Sequence, residues 1–114
     1  MKKYEILRDR KNAAKVLADL YYDEEKNEFR IVIPRDADTC KLPFALQLCA
    51  DKGIYELPPS VSMRWVRDRI VPNDRQNIGQ FLKSYGLKTY REDLMLEVNE
   101  GRTIQDDYKV RRVR

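Results

Sequence analysis

The chain contains no histidine, so it lacks the commonest imidazole metal ligand and the side chain best suited to proton transfer near neutral pH. Its two cysteines, Cys40 and Cys49, do not have Cys-x-x-Cys spacing and fall inside or beside one expected helix, where a disulfide between them is awkward. Reduced thiols, with Cys49 buried as a structural residue, are the expectation. The four glycines are scattered singly, which excludes a phosphate-cradling loop. No apolar run approaches the roughly 20 residues of a membrane helix, and the opening MKKYEILRDRK has no apolar h-region of a secretory leader. These absences leave little for catalysis to use. They lead to the expectation of a cytoplasmic, non-enzymatic protein without a cofactor, a metal or a membrane partner.

Acidic residues offer only weak exceptions. Asp36-Ala37-Asp38 and Asp106-Asp107 have oxygen ligands of the kind Mg²⁺ takes, but short acidic pairs in loops ordinarily solvate or cap. Asp19 on a strand, with Glu24 and Lys26, evokes the acidic residues and lysine of metal-dependent nucleases. However, Glu24 and Lys26 fall in an expected turn, where their geometry would be loose.

What is present is charge and aromatic surface. Lysines and arginines number 23 against 19 acidic residues, a formal net charge of +4. From Met1 to Leu57 the two signs balance at eleven each, whereas Pro58 to Arg114 holds twelve basic against eight acidic residues, so the excess lies in the second part. Positive potential there raises the encounter rate with phosphates or with acidic side chains.

At 114 residues the chain suits a single domain with one modest core. Lys15 to Tyr22 and Glu28 to Ile33, rich in branched and aromatic residues and separated by the polar Asp23 to Asn27, predict an antiparallel hairpin. In the second strand Phe29, Ile31 and Ile33 point to the core while Arg30 and Val32 point away. Tyr4 to Arg8 adds a third strand or a short helix, and Asp107 to Val113 either pairs with this sheet or forms a basic tail. Helices are expected over Leu42 to Lys52, with Pro43 in its first turn and Gly53 as its stop, and from a Ser60 cap to about Ile70. In the latter, Val61, Trp65 and Val66 face inward and Arg64, Arg67 and Asp68 outward. The fold class is thus α+β: an N-terminal hairpin or three-stranded sheet packed against about four helices, with a possible C-terminal strand.

The stretch Trp65 to Arg102 carries the clearest signals. Asn73 or Asp74 is placed to cap a helix whose Ile78, Phe81, Leu82 and Tyr85 form one apolar stripe, ended by Gly86. Thr89-Tyr90-Arg91-Glu92 reads as a capping box for a last helix from Tyr90 to Glu100, with Leu94, Met95 and Val98 inward. Two such helices invite a helix-turn-helix DNA reader over 74–100, assisted by the basic C-terminal segment. Residue identity weighs against it. Leu82 stands four residues before the turn glycine where a small residue is usual, Glu92 occupies an apolar position, and Glu92, Asp93, Glu97 and Glu100 repel phosphates.

Protein recognition is the stronger expectation. Trp65, Tyr85 and Tyr90 lie near arginines, and Trp, Tyr and Arg are the residue types enriched at interface hot spots. The candidate interaction surface is Arg64, Arg67, Arg69 and Arg91, extended by Arg111 and Arg112. A protein partner is the first expectation, nucleic acid the alternative, and a homodimer would use the same surface.

The string RIVPNDRQNIGQFLKSYGLKTYREDLMLEVNEGR and the following QDDY, from Arg69 to Tyr108, resemble a recurring pattern in short, uncharacterised bacterial proteins associated with mobile elements. The resemblance carries no catalytic residues. It implies an accessory regulator, or an inhibitor of a host nucleic-acid-handling defence protein, that works by binding rather than by chemistry.

Overall fold

A computed structural model describes residues 1–8 and 15–114. The described chain builds a four-stranded antiparallel sheet and four α-helices, of which α2 and α4 pack directly on strands. Strands β1 (Lys2–Arg8), β2 (Ala18–Asp23) and β3 (Glu28–Val32) are followed by a 3₁₀ turn, Thr39–Lys41. Then come α1 (Phe44–Asp51), α2 (Pro59–Arg67), α3 (Ile78–Ser84), α4 (Glu92–Asn99) and finally β4 (Tyr108–Val113). The strand order is β3-β2-β1-β4. The Tyr4–Arg8 segment is therefore a strand, and the Asp107–Val113 segment joins the sheet rather than forming a tail. Among the described residues, no helix is long and apolar enough to cross a membrane.

Strict alternation gives the sheet its two faces. Tyr4, Ile6, Ala18, Leu20, Tyr22, Phe29, Ile31, Tyr108 and Val110 point to the helices and are buried. The opposite face carries Lys3, Glu5, Asp19, Tyr21 and Arg111, which pair across strands: Lys3 with Asp19 at 3.8 Å and Arg111 with Glu5 at 2.7 Å. Asp19 is thus partnered by a lysine on the solvent side, while Glu24 and Lys26 sit exposed in the β2–β3 turn, away from any shared ligand geometry. Tyr21 and Tyr22 divide between the faces as the pleat requires.

The β3 edge is closed. The outward N–H groups of Phe29, Ile31 and Ile33 donate to Met63 Sδ at 3.1 Å, Ser62 Oγ at 3.0 Å and the Tyr55 carbonyl at 2.7 Å, and the Leu57 N–H donates back to the Ile31 carbonyl. Capping an edge in this way removes a template for aberrant pairing. It also explains why Ser62 is fully buried: its hydroxyl replaces a missing strand.

Several helix boundaries differ from expectation for identifiable reasons. Pro59, not Ser60, opens α2, because proline's fixed φ suits the first helical position. Pro43 precedes α1 rather than lying within it, and Cys49 is half-buried rather than enclosed; both cysteines are free thiols. Neither Asn73 nor Asp74 caps α3. Tight turns close first, from the Arg75 N–H to the Pro72 carbonyl and from Ile78 to Arg75, and Asn77 at φ 66° interrupts the chain before the helix starts at Ile78. The Thr89/Glu92 capping box does not form either. Arg91 occupies the N-cap without a side-chain cap bond, and the Glu92 carboxylate is taken by a bidentate pair with Arg67. The fork engages both Glu92 oxygens at once and so draws the carboxylate away from the backbone.

The inward face of α4 is rotated from the expected one. Asp93, Met95 and Leu96 are buried, whereas Leu94 and Val98 are only partly covered. Trp65 and Val66 are core, as their spacing predicts, with Met63 and Ile70 beside them. By contrast α3 contributes no fully buried residue: Ile78, Phe81 and Leu82 are half-buried and Tyr85 is 53% exposed.

Candidate functional site

The six arginines singled out from the sequence do not form one patch. Arg64 and Arg67 lie one turn apart on the exposed side of α2. Arg64 makes no ion pair among the described residues, while Arg67 grips Glu92 through Nε at 3.0 Å and Nη2 at 3.1 Å. Arg91, at the start of α4, donates to Asp93 Oδ2 at 3.0 Å. Arg111 and Arg112 project from opposite faces of β4, to Glu5 and Glu97 respectively.

Arg69 is not a surface residue at all. Only 6% exposed, it donates from Nε to the Gly101 carbonyl at 2.7 Å, forks onto both Asp106 oxygens, and reaches the Tyr108 carbonyl at 3.2 Å. Its guanidinium lies 4.4 Å from the Trp65 ring centroid. Every feature that made it a candidate for a partner is used internally: planar, always charged and able to stack, it ties the end of α2 to the end of α4 and the start of β4. The Asp106 carboxyl feels burial pushing its pKa up. The Arg69 hydrogen bonds, the Tyr108 amide and the arginine charge overcome that and hold it below the ordinary 3.8.

The carboxylates of α4 are similarly engaged. Glu92 faces Arg67, and Glu100 faces Arg102 at 2.9 Å. Asp93 is wholly buried, with Oδ2 accepting from Lys2 Nζ at 2.7 Å as well as from Arg91, while its Oδ1 has no partner among the described residues. Glu97, one turn on, accepts from Lys2, from the Tyr4 hydroxyl at 2.9 Å and from Arg112 at 3.1 Å. Burial pulls the Lys2 ammonium down in pKa, but Asp93, with Glu97, carries it above the usual lysine value. Burial and the Glu97 bond hold the Tyr4 phenol far above its ordinary range. This helix is bound to the sheet through its acidic side.

A concavity of about 620 Å³ opens where the end of α2, the start of α4 and the β2–β3 turn converge. Tyr22 and Tyr90 form its aromatic walls, Arg67 and Arg91 its cationic rim, and Glu24, Asn27, Asn73 and Glu92 add acceptors and amides. Each aromatic is anchored: Tyr22 donates to Asn27 Oδ1 at 2.6 Å and Tyr90 to the Val71 carbonyl at 2.6 Å. Burial raises both phenol pKa values, with help from Asp93 for Tyr22 and from Glu92 for Tyr90. Both guanidiniums keep unspent N–H donors at the surface.

The cleft therefore brings together Arg67 and Arg91 with Tyr90, all from the Trp65 to Arg102 stretch that carries the clearest helix signals. The sequence did not place Tyr22 or Glu24, which come from the hairpin, beside these arginines. Tyr22 is the buried ring of the Tyr21-Tyr22 pair and forms the floor of the cleft. No group of three or more His, Cys, Asp or Glu side chains among the described residues is arranged to hold a metal ion. Comparison of the chain with protein-family models, with curated proteins and with solved structures returned no match.

Proposed function

We propose that the protein is a non-enzymatic binding module that recognises a protein partner through the Tyr22/Tyr90/Arg67/Arg91 cleft, with Arg64 as a further contact. One observation carries the reading: two anchored tyrosines and two guanidiniums border a single cleft of roughly 620 Å³. Tyr90 and the two guanidiniums supply contact area and directional N–H donors at low entropy cost, above a floor made by the buried Tyr22. Their second bonds fix them before a partner arrives, which favours binding over rearrangement. The lining includes no cysteine, serine, lysine or histidine as nucleophile or near-neutral base, and its phenols stay protonated. Recognition is the chemistry such walls support. With the resemblance of Arg69 to Tyr108 to proteins of mobile elements, the partner class favoured is a host protein that handles nucleic acid, held or inhibited by binding.

The test is affinity capture from nuclease-treated lysate, comparing the parent chain with the double variant Arg64→Glu/Arg67→Glu, both checked by circular dichroism. One protein is expected to be retained by the parent and its recovery to fall at least tenfold with the variant. Loss of all binding on nuclease treatment would turn the reading toward direct nucleic-acid binding. Light scattering on the purified chain separates a partner from a second copy.

A further inference from the structure

The two edges of the sheet are finished differently. Every outward N–H of Phe29, Ile31 and Ile33 on the β3 edge has an acceptor. On the β4 edge the register Tyr4↔Arg112, Ile6↔Val110 and Arg8↔Tyr108, together with the Val110 N–H bonding away from β1, sets the parity. Residues 108, 110 and 112 turn their backbone groups outward. Tyr108 is closed by Asp106 and Arg69, and the Val110 N–H by the Glu100 carbonyl at 2.6 Å. Closure stops there. The Val110 carbonyl and both backbone groups of Arg112 have no acceptor or donor among the described residues.

Beside this open stretch lies a concavity of about 230 Å³ between α4 and β4, lined by Tyr4, Glu97, Glu100, Val110, Arg112 and Arg114. Arg111 flanks it from the opposite face of the sheet, its side chain 52% exposed. Arg111 and Arg112 each spend one nitrogen on a carboxylate, leaving further N–H donors on both sides of the strand. A strand laid here meets an arginine whichever way its side chains point, Arg111 beside Glu5 on one face and Arg112 beside Glu97 and Glu100 on the other. A second copy paired through the same residues would set Arg112 against its own equivalent, and like charges directly opposite are destabilising.

We infer that the Val110–Arg112 edge accepts an extended acidic segment of a partner protein as a fifth strand. Backbone bonds to Arg112 and the Val110 carbonyl set its register, and carboxylates at neighbouring positions are received by Arg111 on one face and Arg112 on the other. This surface is separate from the tyrosine–arginine cleft, so it stands or falls independently of that site.

The probe is a blocked ten-residue peptide rich in Glu, Val and Thr, titrated while amide chemical shifts and hydrogen exchange are followed. The Arg112 amide is expected to shift and slow its exchange. Arg112→Pro deletes the outward N–H without touching the β1 ladder, whereas Arg112→Ala keeps the N–H and loses only the side chain. Binding tenfold or more weaker in Arg112→Pro than in Arg112→Ala supports strand addition. Equal losses in the two variants, or binding unchanged in the proline variant, overturn it. Should Arg112→Pro fail to fold, the same peptide N-methylated at alternate residues decides: undiminished binding overturns the proposal, and abolished binding supports it. Equal binding of a single-stranded oligonucleotide, or formation of a dimer that excludes the peptide, also overturns it.

Discussion

At the end of α2 the chain closes around Arg69, which is buried against Trp65 and bonded to Gly101, Asp106 and Tyr108. Three residues later it leaves the core at Pro72. It returns at Tyr90, having contributed only half-buried side chains and the exposed Tyr85. Both regions lie in the segment whose helix signals are strongest in the sequence, and both contain arginine, aromatic residues and a glycine with positive φ. In the first, the arginine and the glycine carbonyl are long-range partners and the aromatic ring is buried in the core. In the second, the Phe81–Tyr85 contact at 4.8 Å and the Arg75 guanidinium over Phe81 are largely local, and the Tyr90–Val71 bond clips the excursion at its base. Strong local signals thus locate helices without saying how firmly they are held; long-range burial sets that.

The comparison breaks most readily at Arg69. Arg69→Ala should destabilise the protein by about 3–5 kcal/mol, because it strands Asp106 and two carbonyls in a partly buried site; urea unfolding measures it. The same experiment across pH tests the pair. The Asp106 carboxyl titrates below its ordinary value in the folded state, so its contribution is complete above pH 3.8 and is lost as pH falls through the folded value. That acid limb should flatten in Arg69→Ala.

Gly101→Ala is the next largest. At φ +65° a side chain is strained, and a Cβ there lies 2.8 Å from Val110 Cγ2 and 3.2 Å from Leu96 Cδ1. A loss of about 2 kcal/mol or more is expected in the thermal midpoint series. Gly86, also with positive φ, has no atom within 4 Å of such a Cβ, so Gly86→Ala should lose only the backbone part, about 1 kcal/mol.

The smallest effect belongs to the excursion. Tyr90→Phe removes the hydroxyl that holds Val71, and should lower global stability by no more than about 1 kcal/mol. It should also speed amide exchange across α3 while leaving α4 unchanged. Equal acceleration in both helices would show that the excursion and the Arg69 corner open together, which the contrast denies.

Much of the fold was legible in the sequence. Period-two alternation marked Phe29, Ile31 and Ile33, and proline and glycine marked α1 and α2, because those signals depend on neighbours a few residues away. The start of α3 was not, since 73–77 holds good capping residues that make turns instead. The burial of Arg69 was hidden because arginine ordinarily reads as surface; its partners Gly101 and Asp106 lie more than thirty residues on. The one available hint was Trp65 four positions earlier, on the same helical face as Arg69. For the cleft, Tyr90, Arg67 and Arg91 were recognisable by type, but Tyr22 and Glu24 join them only through tertiary packing.

The strand order β3-β2-β1-β4 has a consequence for how the molecule comes into being. Strand β1 is central, yet its partner β4 lies about 100 residues further along: Lys3 pairs with Val113 and Arg8 with Tyr108. On a ribosome adding roughly 5–20 residues per second, β1 to β3 emerge many seconds before β4 is available. During that interval β1 is itself an edge, with its ladder groups facing water. Closing so long a loop is also slow in free refolding. Until β4 has been synthesised the second side of β1 has no strand to pair with, and an unpaired strand edge is a template for association.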